Sequence, residues 1–308
     1  MSDGAGKPRG LLVPQLTTDK VRAWFAAIPE KYKGDRGTRN CNIFSYIIRE
    51  FLGQAWVDRH LVAHAKQPDL PTPFGFFELD FASDEIRETK TFRMFDLSEI
   101  LMNLQLVEGF GTCVERLKTG DDKQIEATFA ELQVGKLLYI HDLIFRFATN
   151  QSGAATNYDY EIDFPGGWTA CAEAKCKLES TDINPLSIKR SLDEARKQLP
   201  YDRPGIIFVK VPQHWFISGN QMAGELRTIT QEFLRNTKRV VSVKFYVSHL
   251  SLAKQQVAHR HATDEIDNPD TRFARKHWNI FKGHHVPPEW DGMPPKWIRL
   301  LDFGETDE

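Results

Sequence analysis

The chain has 308 residues, 40 Lys and Arg against 42 Asp and Glu, and a net charge of −2. Apolar residues make up 41% and charged residues 27%, the balance of a soluble globular protein of about two domains that can bury a sizeable core without staples. This excludes a largely disordered chain, a collagen-like rod and a histone-like polycation, so any nucleic-acid binding must come from a local patch.

No run approaches the ~18 apolar residues of a membrane helix; the best, Gly205 to Val211, is far shorter. The first ten residues lack the apolar stretch of a secretory signal. Cys41, Cys113, Cys171 and Cys176 form no Cys-x-x-Cys pair. A cytoplasmic protein with reduced thiols and no membrane partner is expected.

Residues 20 to about 120 read as mostly helical. Val21 to Ile28 carries apolar residues at helical spacing, and from Ile43 to about Ala65 the residues Ile43, Ile47, Phe51 and Ala55 fall near one side. Lys66 to Gly75 holds three prolines and reads as a loop. Another helix is expected to begin at Asp96, with Asp96 or Ser98 as its cap. Glycines at 109, 111 and 120 then punctuate the chain.

After Asp122 the pattern changes. A helix from Ile125 to about Tyr139 precedes a strand at Asp142–Ala148 and a polar loop at Asn150–Ala155. Strands at Asn157–Phe164 and Trp168–Lys177 flank a Pro165–Gly167 turn. A helix from Asn184 to about Leu199, a strand at Gly205–Val211, a helix near Ala223–Arg235 and a strand at Val240–Val247 follow. The order predicts a mixed α/β sheet flanked by helices. The chain divides into a mainly helical region at 1–120, suited to recognition or assembly, an α/β core at 121–250 and an irregular extension at 251–308.

The strongest local signal is Tyr158-Asp-Tyr-Glu-Ile-Asp-Phe164 together with Trp168-Thr-Ala-Cys-Ala-Glu-Ala-Lys-Cys-Lys177. Strand side chains alternate faces. Asp159, Glu161 and Asp163 therefore share one face of the first strand; Glu173, Lys175 and Lys177 share one face of the second, opposite Ala172, Ala174 and Cys176. A three-residue turn centred on Gly166 sets Asp159 across from Glu173, ~5 Å apart, with Lys175 diagonal. One residue of slip would part the two acids.

Carboxylates this close repel unless one is protonated or a cation bridges them. A hard divalent cation such as Mg²⁺ suits two carboxylates plus waters. A solvated hairpin face is the alternative. Glu131 interrupts a helical stripe of Ala127, Val134, Leu138 and His141. It either points at the same site or is a helix-surface acid, because a buried carboxylate is costly unless paired or metal-bound.

Glu131 on a helix, Asp159 in a second strand and Glu173-Ala174-Lys175 in a third together resemble the PD-(D/E)xK phosphodiesterase superfamily, the restriction-endonuclease-like fold. The element order from about 125 to 211 resembles its αβββαβ core, with a helix and strand extending to about 250. The resemblance implies a metal-dependent nuclease. Asp159 and Glu173 would ligate Mg²⁺ or Mn²⁺ with the Ala174 carbonyl, and Glu131 would be an auxiliary ligand. Lys175 would orient or help deprotonate the attacking water and stabilise charge growing on the phosphoryl group.

Tyr158 stands where the motif's name has a proline, and Asp163 rivals Asp159 as the first acid. Gln198 and Tyr201 lie one residue closer than in the Gln-x-x-x-Tyr motif of some members, and Gln198 is taken as a site neighbour. By analogy with the family, DNA is preferred to RNA as the partner. A catalytically silent nuclease-fold module for nucleic-acid binding or protein assembly is the alternative, as is a plain α/β domain. The N-terminal region leaves room for a homodimer or a protein partner.

Other patterns carry less. His60 and His64 sit one helical turn apart without the zinc-protease glutamate, and a solvated helix face is expected. His259, His261, His277, His284 and His285 have no companion cysteines. No phosphate-binding glycine loop occurs, and Cys171 and Cys176 read as small sheet residues. Lys177, Lys189 and Arg190 are candidate nucleic-acid contacts, with Arg196 and Lys197 on the same helix. Arg272 to Lys282 interleaves cations with aromatics.

Overall fold

The computed structural model describes residues 13–62, 84–148, 157–164, 167–177, 181–217, 221–222, 224–253, 256–273, 297–300 and 303. The helical N-terminal region contains α1 (Thr18–Ala26), α2 (Glu30–Lys33), α3 (Arg36–Leu52), α4 (Gln54–Val57), α5 (Asp84–Leu104) and α6 (Phe110–Thr119). Next come α7 (Asp122–Ile140), β1 (Ile144–Phe147), β2 (Tyr160–Phe164) and β3 (Trp168–Cys176). After α8 (Pro185–Gln198) and β4 (Gly205–Lys210), a small ribbon forms from β5 (Phe216–Ile217) and β6 (Gln221–Met222). Helix α9 (Gly224–Arg235) and strands β7 (Val240–Ala253) and β8 (Gln256–Asp267) complete the order.

The main sheet is six-stranded and mixed, in the order β1-β2-β3-β4-β7-β8. Its centre, β3-β4-β7, is parallel, and the outer pairings are antiparallel. Parallel neighbours need crossovers over a face, which α8 and α9 provide. Strand β4 is buried along its whole length, as expected of a strand covered on both faces. Ile206 and Phe208 join the core shared with the N-terminal helices, while Ile207 and Val209 pack with Ile188 and Leu192 of α8 and Phe233 of α9.

Helix α7 sits between the sheet and the N-terminal helices. Its start carries a reciprocal cap, Asp121 accepting the Gln124 N–H while the Gln124 side chain accepts the Asp121 N–H. Every residue from Thr128 to Leu138 is buried, so this stretch of the helix has no solvent face and its polar residues need partners. Fully buried Lys136 meets fully buried Asp96 at 2.7 Å, and Gln133 Nε2 donates to the same carboxylate at 2.8 Å. Tyr160 and Tyr246, both buried, donate their hydroxyls to the carbonyls of Glu131 and Ala130. These two bonds fix how deep α7 lies on the sheet.

The structure revises several sequence expectations. Asp96 and Ser98 do not start a helix; they lie inside α5, Asp96 paired with Lys136 and Ser98 Oγ donating to the Met94 and Phe44 carbonyls. The single helix expected from Ile43 is broken at Gly53, whose φ of 90° turns the chain into α4 and a π-helical turn at Asp58–Val62. His60 is buried against Trp56, ring centroids 4.4 Å apart, rather than on a solvated face.

The segment expected to be irregular after 250 instead continues β7 and pairs it with β8 along a long antiparallel ladder. His64, the 66–75 and 150–155 loops, Pro165 and Gly166, His277, His284, His285 and residues 274–282 lie outside the described residues, as do the side chains of His259 and His261. Among the described residues, no helix is long and apolar enough to cross a membrane.

Candidate active site

The acidic hairpin has the register read from its turn. Phe164 pairs with Trp168 and Tyr160 with Ala172. One residue further, the chain leaves the ladder. The Asp159 N–H donates to the Ala172 carbonyl at 2.9 Å, and the Asp159 carbonyl accepts the Ala148 N–H at 2.8 Å. The Asp159 side chain itself accepts the next strand amide, Ala174 N–H to Oδ2 at 2.8 Å. That places its carboxylate beside Glu173, on the rim where β2 and β3 diverge.

The acids sharing that face are sorted by their partners. Glu161 accepts from Tyr158 Oη at 2.6 Å and Arg203 Nη1 at 2.7 Å, and is ion-paired with Arg146. Asp163 accepts from Thr169 Oγ1 at 2.6 Å and Arg146 Nη1 at 3.1 Å. Asp163 is thus paired with Thr169 and Arg146 and does not line the cleft that Asp159 lines. Asp159 is the acid of this strand left facing Glu173.

Glu173 is buried; Lys175 Nζ donates to its Oε1 at 2.7 Å, and its Oε2 has no hydrogen-bond partner. Lys175 also donates to Gln198 Oε1 at 2.5 Å. Gln198 Nε2 in turn donates to the Asn157 carbonyl at 3.1 Å, and Asn157 N–H to the Gln198 carbonyl at 3.2 Å. The end of α8 is thereby tied to the approach of β2, and the lysine is held in one direction.

Glu131 reaches the same place from α7. It is buried and held by Arg116 of α6, whose Nη1 donates to Oε1 at 2.8 Å and whose Nη2 pairs with Oε2. The helix-surface reading of this acid does not hold. An open cleft of about 510 Å³ is lined by Glu131, Asp159, Glu173, Ala174, Lys175 and Gln198, and by Arg116, Thr112, Lys123 and Asn157 around them.

Electrostatics follow from crowding. Burial, and then the Asp159 charge, push the Glu173 carboxyl up to about 9. The same causes push Glu131 up to about 8 against the opposing pull of Arg116, and burial raises Asp159. Lacking a further cation, three such carboxylates cannot all be ionised near neutrality.

The donor set suits a hard divalent ion. Asp159 and the partnerless Glu173 Oε2 offer carboxylate oxygens with room for waters and a phosphate, the usual composition of a magnesium site. Among the described residues no three His, Cys, Asp or Glu side chains form a ready-made cage.

Lys177, Lys189 and Arg190 are not brought to the cleft. Lys177 Nζ donates to Ser187 Oγ at 2.7 Å, Lys189 pairs with Asp193 at 3.0 Å, and Arg190 is exposed on α8. Arg116 and Asn157 escape the sequence reading. No local spacing marks Arg116, because its partner lies fifteen residues on, across a helix–helix contact. Comparison with known proteins finds no matching family model and no matching curated relative.

Proposed function

We propose that the protein is a metal-dependent nuclease of the PD-(D/E)xK, restriction-endonuclease-like type, hydrolysing nucleic-acid phosphodiester bonds, with DNA preferred to RNA by family analogy. The observation that carries the reading is Glu173 Oε2, a buried carboxylate oxygen without a donor, set beside Asp159 and next to Lys175 on a central strand. Three carboxylates, Glu131, Asp159 and Glu173, share Arg116 and Lys175, and a further cation would offset the charge that remains. The α7-β1-β2-β3-α8-β4 order supports the same family.

Mg²⁺, or Mn²⁺, would supply a Lewis acid that polarises the phosphate and acidifies water. Asp159 and Glu173 would hold it, with Ala174 at hand in the cleft. The chain's own residues do the rest. Lys175, braced by Glu173 Oε1 and Gln198 Oε1, keeps its remaining N–H for the cleft, where it orients the attacking water and offsets charge on the phosphoryl oxygens. The water gives up a proton as its oxygen bonds to phosphorus, one phosphorus–oxygen ester bond breaks, and the departing oxygen takes up a proton, so one water is consumed for each bond cut. The Ala174 amide pins Asp159, and the Tyr160 hydroxyl pins the backbone of Glu131, so the groups are in place before substrate arrives.

The test is cleavage of plasmid, linear duplex, single-stranded DNA and RNA with Mg²⁺, Mn²⁺ or EDTA. Lys175→Ala should abolish metal-dependent cutting and keep metal binding, whereas Glu173→Ala should lose both. Glu173→Ala as active as wild type would remove the assignment. The Arg116–Glu131 clamp favours one further reading, a silent nuclease-fold binding module; metal binding without cutting of any substrate would select it.

A further inference from the structure

Arg116 has a geometry that a purely structural clamp does not need. Its guanidinium is forked onto Glu131, and Nη2 also lies 3.3 Å from Cys113 Sγ, yet Nε is buried with no partner. The two sides of the ion pair differ sharply: the Arg116 side chain is 42% exposed and the Glu131 side chain 8%. Arg116 lines the cleft, one helical turn from Thr112, which lines it too. A planar guanidinium fork fits a phosphate as well as it fits a carboxylate.

We infer that Arg116 is the phosphate contact of this cleft, resting on Glu131 until a phosphodiester takes its place. The inference depends on the phosphodiesterase reading above and adds to it the residue that grips the substrate. Glu131, Asp159 and Glu173 face Arg116 and Lys175 across the cleft, with Lys123 and Glu126 at its edge and Arg93 paired to Glu126. Releasing Arg116 leaves Glu131 as one more anionic oxygen donor beside Asp159, so the same residue governs two affinities in opposite directions. Bound to Glu131, it lowers the site's pull on a divalent cation; bound to phosphate, it raises the pull on nucleic acid.

The test uses the full chain as wild type, Arg116→Met and the doubly neutral Arg116→Met/Glu131→Gln. Mn²⁺ alone is titrated by electron paramagnetic resonance. Fluorescein-labelled DNA and RNA oligonucleotides are titrated with Ca²⁺ in place of Mg²⁺ to suppress turnover. Both variants are expected to lose about tenfold or more in oligonucleotide affinity, the scale of a charge-assisted hydrogen-bonded contact. Arg116→Met should bind Mn²⁺ several-fold more tightly than wild type, and the double variant should not share that gain.

A double variant that binds oligonucleotide like wild type overturns the inference, because Arg116 would then serve only to neutralise Glu131. This comparison holds even where Arg116→Met alone fails to fold. Unchanged Mn²⁺ affinity in a folded Arg116→Met protein overturns it as well. A wild type that binds Mn²⁺ but no oligonucleotide removes this inference alone, whereas a wild type that binds no Mn²⁺ removes the nuclease reading beneath it.

Discussion

Replacing Glu173 by Gln is expected to stabilise the cation-free fold while removing its chemistry. Burial, and then the neighbouring Asp159, push the wild-type carboxyl in the fold from its ordinary 4.5 up to about 9. Its side chain is only 3% exposed, so solvent screens little of this. A carboxyl raised by folding binds its proton more tightly in the native state, so its contribution is fully present below the unfolded value and drains away as pH rises towards the folded one. Between the ordinary carboxyl range and neutral pH this loss is on the order of 3 kcal/mol. Glutamine does not titrate, keeps an oxygen for Lys175, and turns its N–H towards the neighbouring Asp159 carboxylate, an acceptor. Urea unfolding in EDTA should therefore show Glu173→Gln more stable than wild type, with the gap widening from about pH 5 to pH 8. Adding Mg²⁺ should stabilise wild type and leave the variant unmoved. A gap independent of pH, or equal stabilisation of both by Mg²⁺, would refute the reasoning.

Two further outcomes test the helical layer behind the site. Lys136→Met leaves Asp96 buried without its cation, with Glu99 3.9 Å from the vacated position, and should cost about 3–5 kcal/mol in urea unfolding; a loss below about 1 kcal/mol would refute the pairing's role. Glu99 accepts Trp297 Nε1 at 3.2 Å and the Leu300 N–H at 2.9 Å, and burial pushes its carboxyl up from 4.5 to about 7 despite Lys136. Glu99→Gln should gain on wild type by on the order of 3 kcal/mol as pH rises across that interval, and a constant difference between the two would show that Glu99 does not titrate there.

The hairpin was readable because two independent rules agree on it: strand alternation assigns the faces, and a short glycine turn fixes the register, with Gly167 at φ 81°. Glu131 stood out because an acid in an apolar helical stripe demands a partner. The partner's identity was not readable, since the meeting of Arg116 with Glu131 depends on how α6 packs on α7. Asp96 and Ser98 misled for a related reason: residue types that cap helices also satisfy buried polar groups, and only the fully buried Lys136 distinguishes the two uses. Strand β8 escaped because its sequence mixes charged, histidine and small residues, and its order comes from pairing with β7 rather than from its own pattern.

Strand β3 has a neighbour on each side, β2 through one ladder and β4 through the other, and the Glu173–Lys175 segment lies within the part paired to β4. Pairing with β4 ties the segment to the sheet on one side, and on the other the Ala174 N–H is held by the Asp159 carboxylate. Glu173 and Lys175 are thus carried by a strand inside the sheet, beside the point where β2 and β3 diverge. Heating should consequently leave the spacing of acid and lysine intact up to the cooperative transition, so loss of function and loss of structure coincide instead of separating into an early softening of the site.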